Sequence, residues 1–162
     1  TTRLVGSEMC IRDRIYQQGK AYYDALKSVH DLVKGARKVQ QTILLVGDIS
    51  DIYVTNFNTM MGDPNFTVEE LSAIAFGYNR LLEESSNLLL DLKEVTTATG
   101  LSMTDKERLD IINRIYGEVL EYKNLTWYYT RKNIGISYLR SKKKGDSRRV
   151  LALYGTHEQR YW

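Results

Sequence analysis

Three sets of side chains in this chain could do chemistry: two adjacent carboxylate pairs, two histidines, and a run of cations interleaved with aromatics toward the C-terminal end. Paired carboxylates serve acid–base catalysis when both face one substrate. Glu69 with Glu70 and Glu83 with Glu84 are sequence neighbours, and helical neighbours point about 100° apart, so a solvated face is the better reading. His30 and His157 stand far apart, and one cysteine, Cys10, excludes a cysteine cluster and an intramolecular disulfide. No glycine-rich phosphate loop, GxSxG, HExxH or CxxC occurs. The expectation is a protein that is not an enzyme and carries no catalytic residues, metal or cofactor.

The cations are the stronger signal. The 162 residues carry a net charge of +3, yet positions 131–162 hold nine Lys and Arg against two acids, and positions 63–94 hold two against seven. Arg131, Lys132, Arg140, Lys142, Lys143, Lys144, Arg148 and Arg149 face a single acid, Asp146, and Trp127, Tyr128, Tyr129 and Tyr138 lie among or just before them. Such a surface could hold phosphates and stack bases. It could equally pair with the acidic middle of the chain, meet an acidic partner subunit, or approach anionic headgroups. Protein contact is the preferred reading and nucleic acid the alternative. The candidate partner-binding residues are Arg140, Lys142, Lys143, Lys144, Arg148 and Arg149, with the aromatics Trp127, Tyr128, Tyr129, Tyr161 and Trp162. Two glycosylation-type triplets, Asn65 to Thr67 and Asn124 to Thr126, are read as chance matches.

The elements that position these residues are helical. Positions 25, 29, 32, 36, 39, 43, 46, 50, 53, 57 and 60 form a row broken only by Ser50. Its alternation of four and three is the seam of a long helix packed at a shallow angle on others. The spacing predicts a helix from Ile15 to Met61, bent near Gly47, and stopped by Gly62, Asp63 and Pro64 with a left-handed glycine cap. Thr67 to Glu70 is a capping box that opens a second helix seamed by Leu71, Ile74, Ala75, Tyr78, Leu82, Leu89, Leu92 and Val95 and ending near Thr97 to Gly100. A second box, Thr104 to Glu107, opens a third helix carrying Leu109, Ile112, Ile115, Val119, Tyr122, Leu125, Tyr129, Ile136 and Leu139 to about Lys143. A capped break at Gly145 to Ser147 precedes a short helix, Arg148 to Tyr154. No stretch is apolar over enough residues to predict a membrane span. The fold expected is all-α: an elongated antiparallel three-helix bundle with long helices and a short C-terminal helix, in one domain over 15–162.

Residues 1–14 carry no periodicity, and Leu4 to Arg12, LVGSEMCIR, resembles the translated read-through of a sequencing adapter. They are expected to be a non-native or disordered leader. Further on, IYQQGKAYYDAL (15–26), RKVQQTIL (37–44), FTVEEL (66–71), LSMTDKER (101–108), SYLRSKKK (137–144), Leu153 to Gly155 and Arg160 to Trp162 resemble the TraI-like transfer protein of Bacteroides-type conjugative transposons, a family with a domain of unknown function. The resemblance covers essentially Ile15 to Trp162 and includes no catalytic motif.

That family begins with a secretory signal peptide, which implies a periplasmic or cell-envelope protein. Its gene lies between those for the conjugation ATPase and a polytopic channel protein. The position, with an elongated helical body, is similar by analogy to that of the minor pilin of type IV secretion systems. The resemblance thus implies a non-catalytic structural component of a conjugative DNA-transfer apparatus whose partners are other apparatus subunits. A homo-oligomer stays open, because one seam serves an intrachain bundle or an intermolecular coiled coil. A nucleic-acid-binding accessory protein of conjugation is the alternative, and a cytoplasmic chaperone-like bundle is a third.

Overall fold

A computed structural model describes residues 33–97 and 103–155. Within them lie four helices and no strand: α1 (Val33–Met61), α2 (Val68–Thr97), α3 (Asp105–Lys143) and α4 (Ser147–Tyr154). The described chain is all-α. The leader at 1–14, the expected helix start at Ile15, Cys10, both histidines, Tyr161 and Trp162 lie outside the described residues.

The seam of α1 is the core. Val39, Ile43, Val46, Ser50, Tyr53, Phe57 and Met60, successive members of the predicted row, are all buried. The helix runs unbroken through Gly47, where a bend was expected, and Gly47 is buried. Ser50 Oγ is buried without a hydrogen-bond partner. Removing an unsatisfied hydroxyl removes its desolvation cost, so Ser50→Ala is expected to raise the unfolding free energy by about 1 kcal/mol in a urea titration.

At the end of α1 the expected left-handed glycine is absent, since positive φ occurs only at Gly145 and Gly155 among the described residues. The chain tightens instead. The Gly62 and Asp63 amides donate to the carbonyls of Thr59 (3.2 Å) and Met60 (3.0 Å), three residues back, and these bonds occupy the last carbonyls without a left-handed residue. The restart is the predicted box: the Glu70 amide donates to Thr67 Oγ1 (3.2 Å) and the Thr67 amide to Glu70 Oε2 (2.9 Å). On α2, Ile74, Ala75, Tyr78, Leu82, Leu89 and Leu92 are buried, with Leu71 and Val95 half-buried.

Each of the three long helices packs against the other two, and α4 packs on α3. Lys38 sits over the Tyr116 ring at 3.9 Å, Lys123 bonds Asp48 at 2.9 Å, and Ser137 meets Asp63, so α1 and α3 advance in the same direction. Glu70 pairs with Arg140 and Tyr78 with Thr130, so α2 opposes both.

On α3 the capping box at Thr104 and Glu107 forms as predicted, and Ile112, Ile115 and Val119 are buried. Its second half corrects the expected seam. Leu125, Ile136 and Leu139 are exposed, and the buried row is Thr126, Thr130, Asn133, Ile134, Ser137 and Ser141. Those polar side chains can face the core because most bond their own helix. Thr126, Thr130 and Asn133 donate to the carbonyls of Tyr122, Thr126 and Tyr129 at 2.7, 2.8 and 3.0 Å, and Ser141 to that of Tyr138 at 2.7 Å.

α3 ends in a two-bond glycine cap. Gly145 is left-handed (φ 72°), its amide donates to the Lys142 carbonyl, and the Asp146 amide reaches back to Ser141 at 2.8 Å. Asp146 precedes α4 without capping it through its side chain, because its carboxylate is taken by Arg149 at 2.8 Å.

Aromatics join the three helices. Tyr53 stacks on Tyr78 with centroids 4.7 Å apart, Phe57 meets both edge-on, and Tyr129 meets Tyr78 edge-on at 4.9 Å. Tyr129 crosses α2 above Gly77 and donates to the Ile74 carbonyl at 3.0 Å. A Cβ on Gly77 would stand 2.2 Å from the Tyr129 hydroxyl. Gly77→Ala therefore swings Tyr129 off its seat. The lost hydrogen bond and ring contact outweigh the gain in helix propensity, so a net loss of about 1 kcal/mol is expected. In a Tyr129→Leu background the same change is expected to stabilise, and chemical denaturation of the four proteins measures the coupling.

Candidate functional site

The basic residues gather where the 62–67 turn meets the C-terminal end of α3 and the start of α4. At the centre is Asp63, a carboxylate only 2% exposed. One oxygen accepts from the Asn65 amide at 2.9 Å. The other accepts from Ser137 Oγ and from the Tyr154 hydroxyl, the latter at 2.7 Å. Asn65 is used at every polar group: its carbonyl accepts from Arg140 at 2.7 Å, its amide nitrogen donates to Ser137 Oγ at 3.1 Å, and its side-chain oxygen accepts from Lys144 at 3.2 Å. A buried and fully bonded Asn65 has no room for a glycan, in keeping with its triplet being a chance match.

Above this cluster Arg140 grips Glu70 with both guanidinium nitrogens, at 2.6 and 2.8 Å, the forked geometry that makes arginine–carboxylate pairs strong. The Arg140 hydrogen bond, reinforced by the Thr67 amide, holds the Glu70 carboxyl down to about 2, and Glu70 raises Arg140 in return. Burial, with Asp63 beside it, pushes the Tyr154 phenol well up. Glu70 is depressed below its unfolded value of about 4.5. Its contribution is therefore complete above pH 4.5 and disappears as the pH falls toward 2. A melting temperature followed over that interval is expected to fall less steeply in Glu70→Gln, which keeps a capping-box residue but has no proton to gain.

The predicted binding residues separate into two groups. Arg140, Lys144 and Arg149 are spent on Glu70, Asn65 and Asp146 within the molecule. Lys142, Lys143 and Arg148 are exposed, and none is ion-paired to another described residue. The aromatic run does not form one surface either. Tyr129 is tied to α2, Trp127 is half-buried on another face, and Tyr128 is exposed with Lys132 over its ring at 5.3 Å. Three successive helical residues point three ways.

Sequence reasoning missed Asp63, Asn65, Ser137 and Tyr154. Asp63 stood out only as part of a helix stop, and the available signal was the polar row Thr126, Thr130, Asn133, Ser137, Ser141, which repeats at helical spacing. Among the described residues no group of three or more His, Cys, Asp or Glu converges as a metal site, and no helix is long and apolar enough to cross a membrane. No family model matches the chain, and no curated protein or solved structure shows significant similarity to it.

Proposed function

We propose that this chain is a structural, non-catalytic component of a conjugative DNA-transfer apparatus, an exported, elongated three-helix bundle that works through protein contacts in the periplasm, in the manner of a minor pilin. The conjugative assignment rests on the resemblance of its segments, SYLRSKKK at 137–144 among them, to the TraI-like transfer family. The observation that carries the contact reading is the surface at the end of α3, where Lys142, Lys143 and Arg148 project without ion-pair partners among the described residues while the neighbouring Arg140, Lys144 and Arg149 are engaged by Glu70, Asn65 and Asp146. Unpaired exposed cations suit an acidic partner surface, where charge sets encounter rate and orientation.

The test is DNA transfer from a donor with the native gene deleted in frame. Transfer collapses and is restored by the wild-type gene in trans, but not by one carrying Lys142→Glu, Lys143→Glu and Arg148→Glu. Lys144 is left intact because its ammonium holds Asn65. Undiminished transfer from the deletion would defeat the assignment. The nucleic-acid alternative uses the same cations, but among the described residues of the Trp127–Tyr129 run Tyr129 is committed to α2 and the exposed Tyr128 ring lies about four helical turns from Lys142. A shift of single-stranded DNA at about 50 mM salt, where counterion release favours binding most, would promote it.

A further inference from the structure

We infer that the outward face of α3 from Leu125 to Lys143 is a docking row for one acidic, amphipathic helix of a partner protein. The row consists of Leu125, Tyr128, Lys132, Ile136, Leu139 and Lys143, spaced by three, four, four, three and four residues. It repeats after eleven: aliphatic, large apolar, lysine, and then the same again. An eleven-residue period corresponds to about 3.67 residues per turn, so the six positions stay on one face of a nearly straight helix. They face away from the core. Leu125, Tyr128, Ile136 and Leu139 are 46, 56, 42 and 61% exposed, while Thr126, Thr130, Ser137 and Ser141 fill the opposite side of the same turns. Single exposed apolar residues are ordinary, but four aligned at helical spacing make a ridge that a second helix can cover.

Charge selects the occupant. A lysine closes each apolar pair; Lys143 is not ion-paired to any described residue, and Lys132 rests only on the Tyr128 ring. A partner helix lying along the row with apolar residues against the ridge meets both lysines with carboxylates about eleven residues apart, as flanking charges do in coiled coils. A second copy fits worse in parallel, where Lys132 meets Lys132 and Lys143 meets Lys143 and like charges in contact select against a pairing. The antiparallel register that matches Leu125 with Leu139 and Tyr128 with Ile136 also sets Lys132 on Lys132 but places Lys143 against Glu121, so a dimer is the competing outcome that sedimentation tests.

Beside Ile136 the α2–α3 groove opens, a space of about 220 Å³ bordered by Phe66, Ala73, Ile74 and Tyr129. That is below the roughly 300–1,000 Å³ of small-molecule sites, and it suits one apolar side chain of the arriving helix. The inference rests on the protein-contact reading above and specifies the partner's chemistry.

The probe is a labelled synthetic helical peptide of about 25 residues, long enough to hold helix in water. It carries Leu-x-x-Leu-x-x-x-Glu at the eleven-residue period and is compared with the same peptide bearing lysine for glutamate. Both are titrated with the full chain at about 50 mM salt, where charge is least screened. The acidic peptide is expected to bind. Ile136→Asp with Leu139→Asp weakens it about tenfold or more, and Lys132→Glu with Lys143→Glu transfers preference to the basic peptide, with helicity unchanged by circular dichroism in both variants. No binding, equal binding of the two peptides, or a dimer in sedimentation that Ile136→Asp with Leu139→Asp dissolves would overturn the inference. The transfer assay separates this from the conjugative assignment: a deletion that leaves transfer intact removes that assignment and leaves the peptide result standing.

Discussion

Asp63→Ala lowers the unfolding free energy by about 3–5 kcal/mol, the range for taking one charged partner out of a buried network. The magnitude follows from what is left behind. Ser137 Oγ, the Tyr154 hydroxyl and the Asn65 amide each donate to this one carboxylate, and an unmet buried donor costs about 1–3 kcal/mol. Asp63→Asn is expected to cost less, because its remaining carbonyl still accepts. Tyr154→Phe removes one donor and costs about 1 kcal/mol by itself. In the Asp63→Ala background its cost falls to about zero or reverses, since the hydroxyl there has nothing to bond. Urea denaturation of the four proteins by helical circular dichroism gives the coupling. Additive costs would mean that the Tyr154–Asp63 bond contributes nothing to holding α4.

Tyr78→Ala is expected to be of similar size, about 4 kcal/mol, in line with other buried aromatic truncations. The ring is 1% exposed, stacks on Tyr53, meets Phe57 and Tyr129 edge-on, and bonds Thr130 at 2.6 Å. Removing it opens a cavity where α1, α2 and α3 converge. Tyr78→Phe separates the ring from its hydroxyl and costs about 1 kcal/mol, because Thr130 keeps its own bond to the Thr126 carbonyl. A native domain holds only about 5–15 kcal/mol in reserve. The alanine variant is thus expected to unfold at a much lower urea concentration with the steepness of the transition unchanged. A loss below about 1 kcal/mol would show that the aromatic contacts are incidental to how the three helices pack.

The seams of α1 and α2 were legible because their inward positions are mostly apolar and recur at regular helical spacing, so hydropathy and geometry agree. The two capping boxes were legible because each is a local motif complete within four residues. The second half of α3 misled because the two signals separate there. Leu125, Ile136 and Leu139 have core-like side chains on the outer face, and Thr126, Thr130 and Asn133 have surface-like side chains on the inner one. A hydroxyl that bonds the carbonyl one turn back is satisfied before any tertiary contact forms, and residue type does not disclose this. The basic region was legible only in part. Its charge left pairing with the acidic middle of the chain open, and Arg140 does pair with Glu70 there, but which cations are engaged depends on the topology that brings Glu70 and Asn65 to Arg140 and Lys144 from more than sixty residues away.

The hydrogen bond from Tyr154 to Asp63 joins positions 91 residues apart, and this separation sets an order of events in folding. Closing so large a loop costs more chain entropy than pairing neighbouring helices. The helical hairpin of α1 and α2 is available as soon as both have been synthesised, whereas the Asp63 carboxylate waits for α4. Its contacts are therefore expected to form after the rate-limiting step, so weakening them speeds unfolding and leaves the folding rate nearly unchanged. A chain halted before α4 emerges keeps the Asp63 carboxylate without its tyrosine and a surface awaiting Val150, and this end of the bundle matures only when α4 arrives.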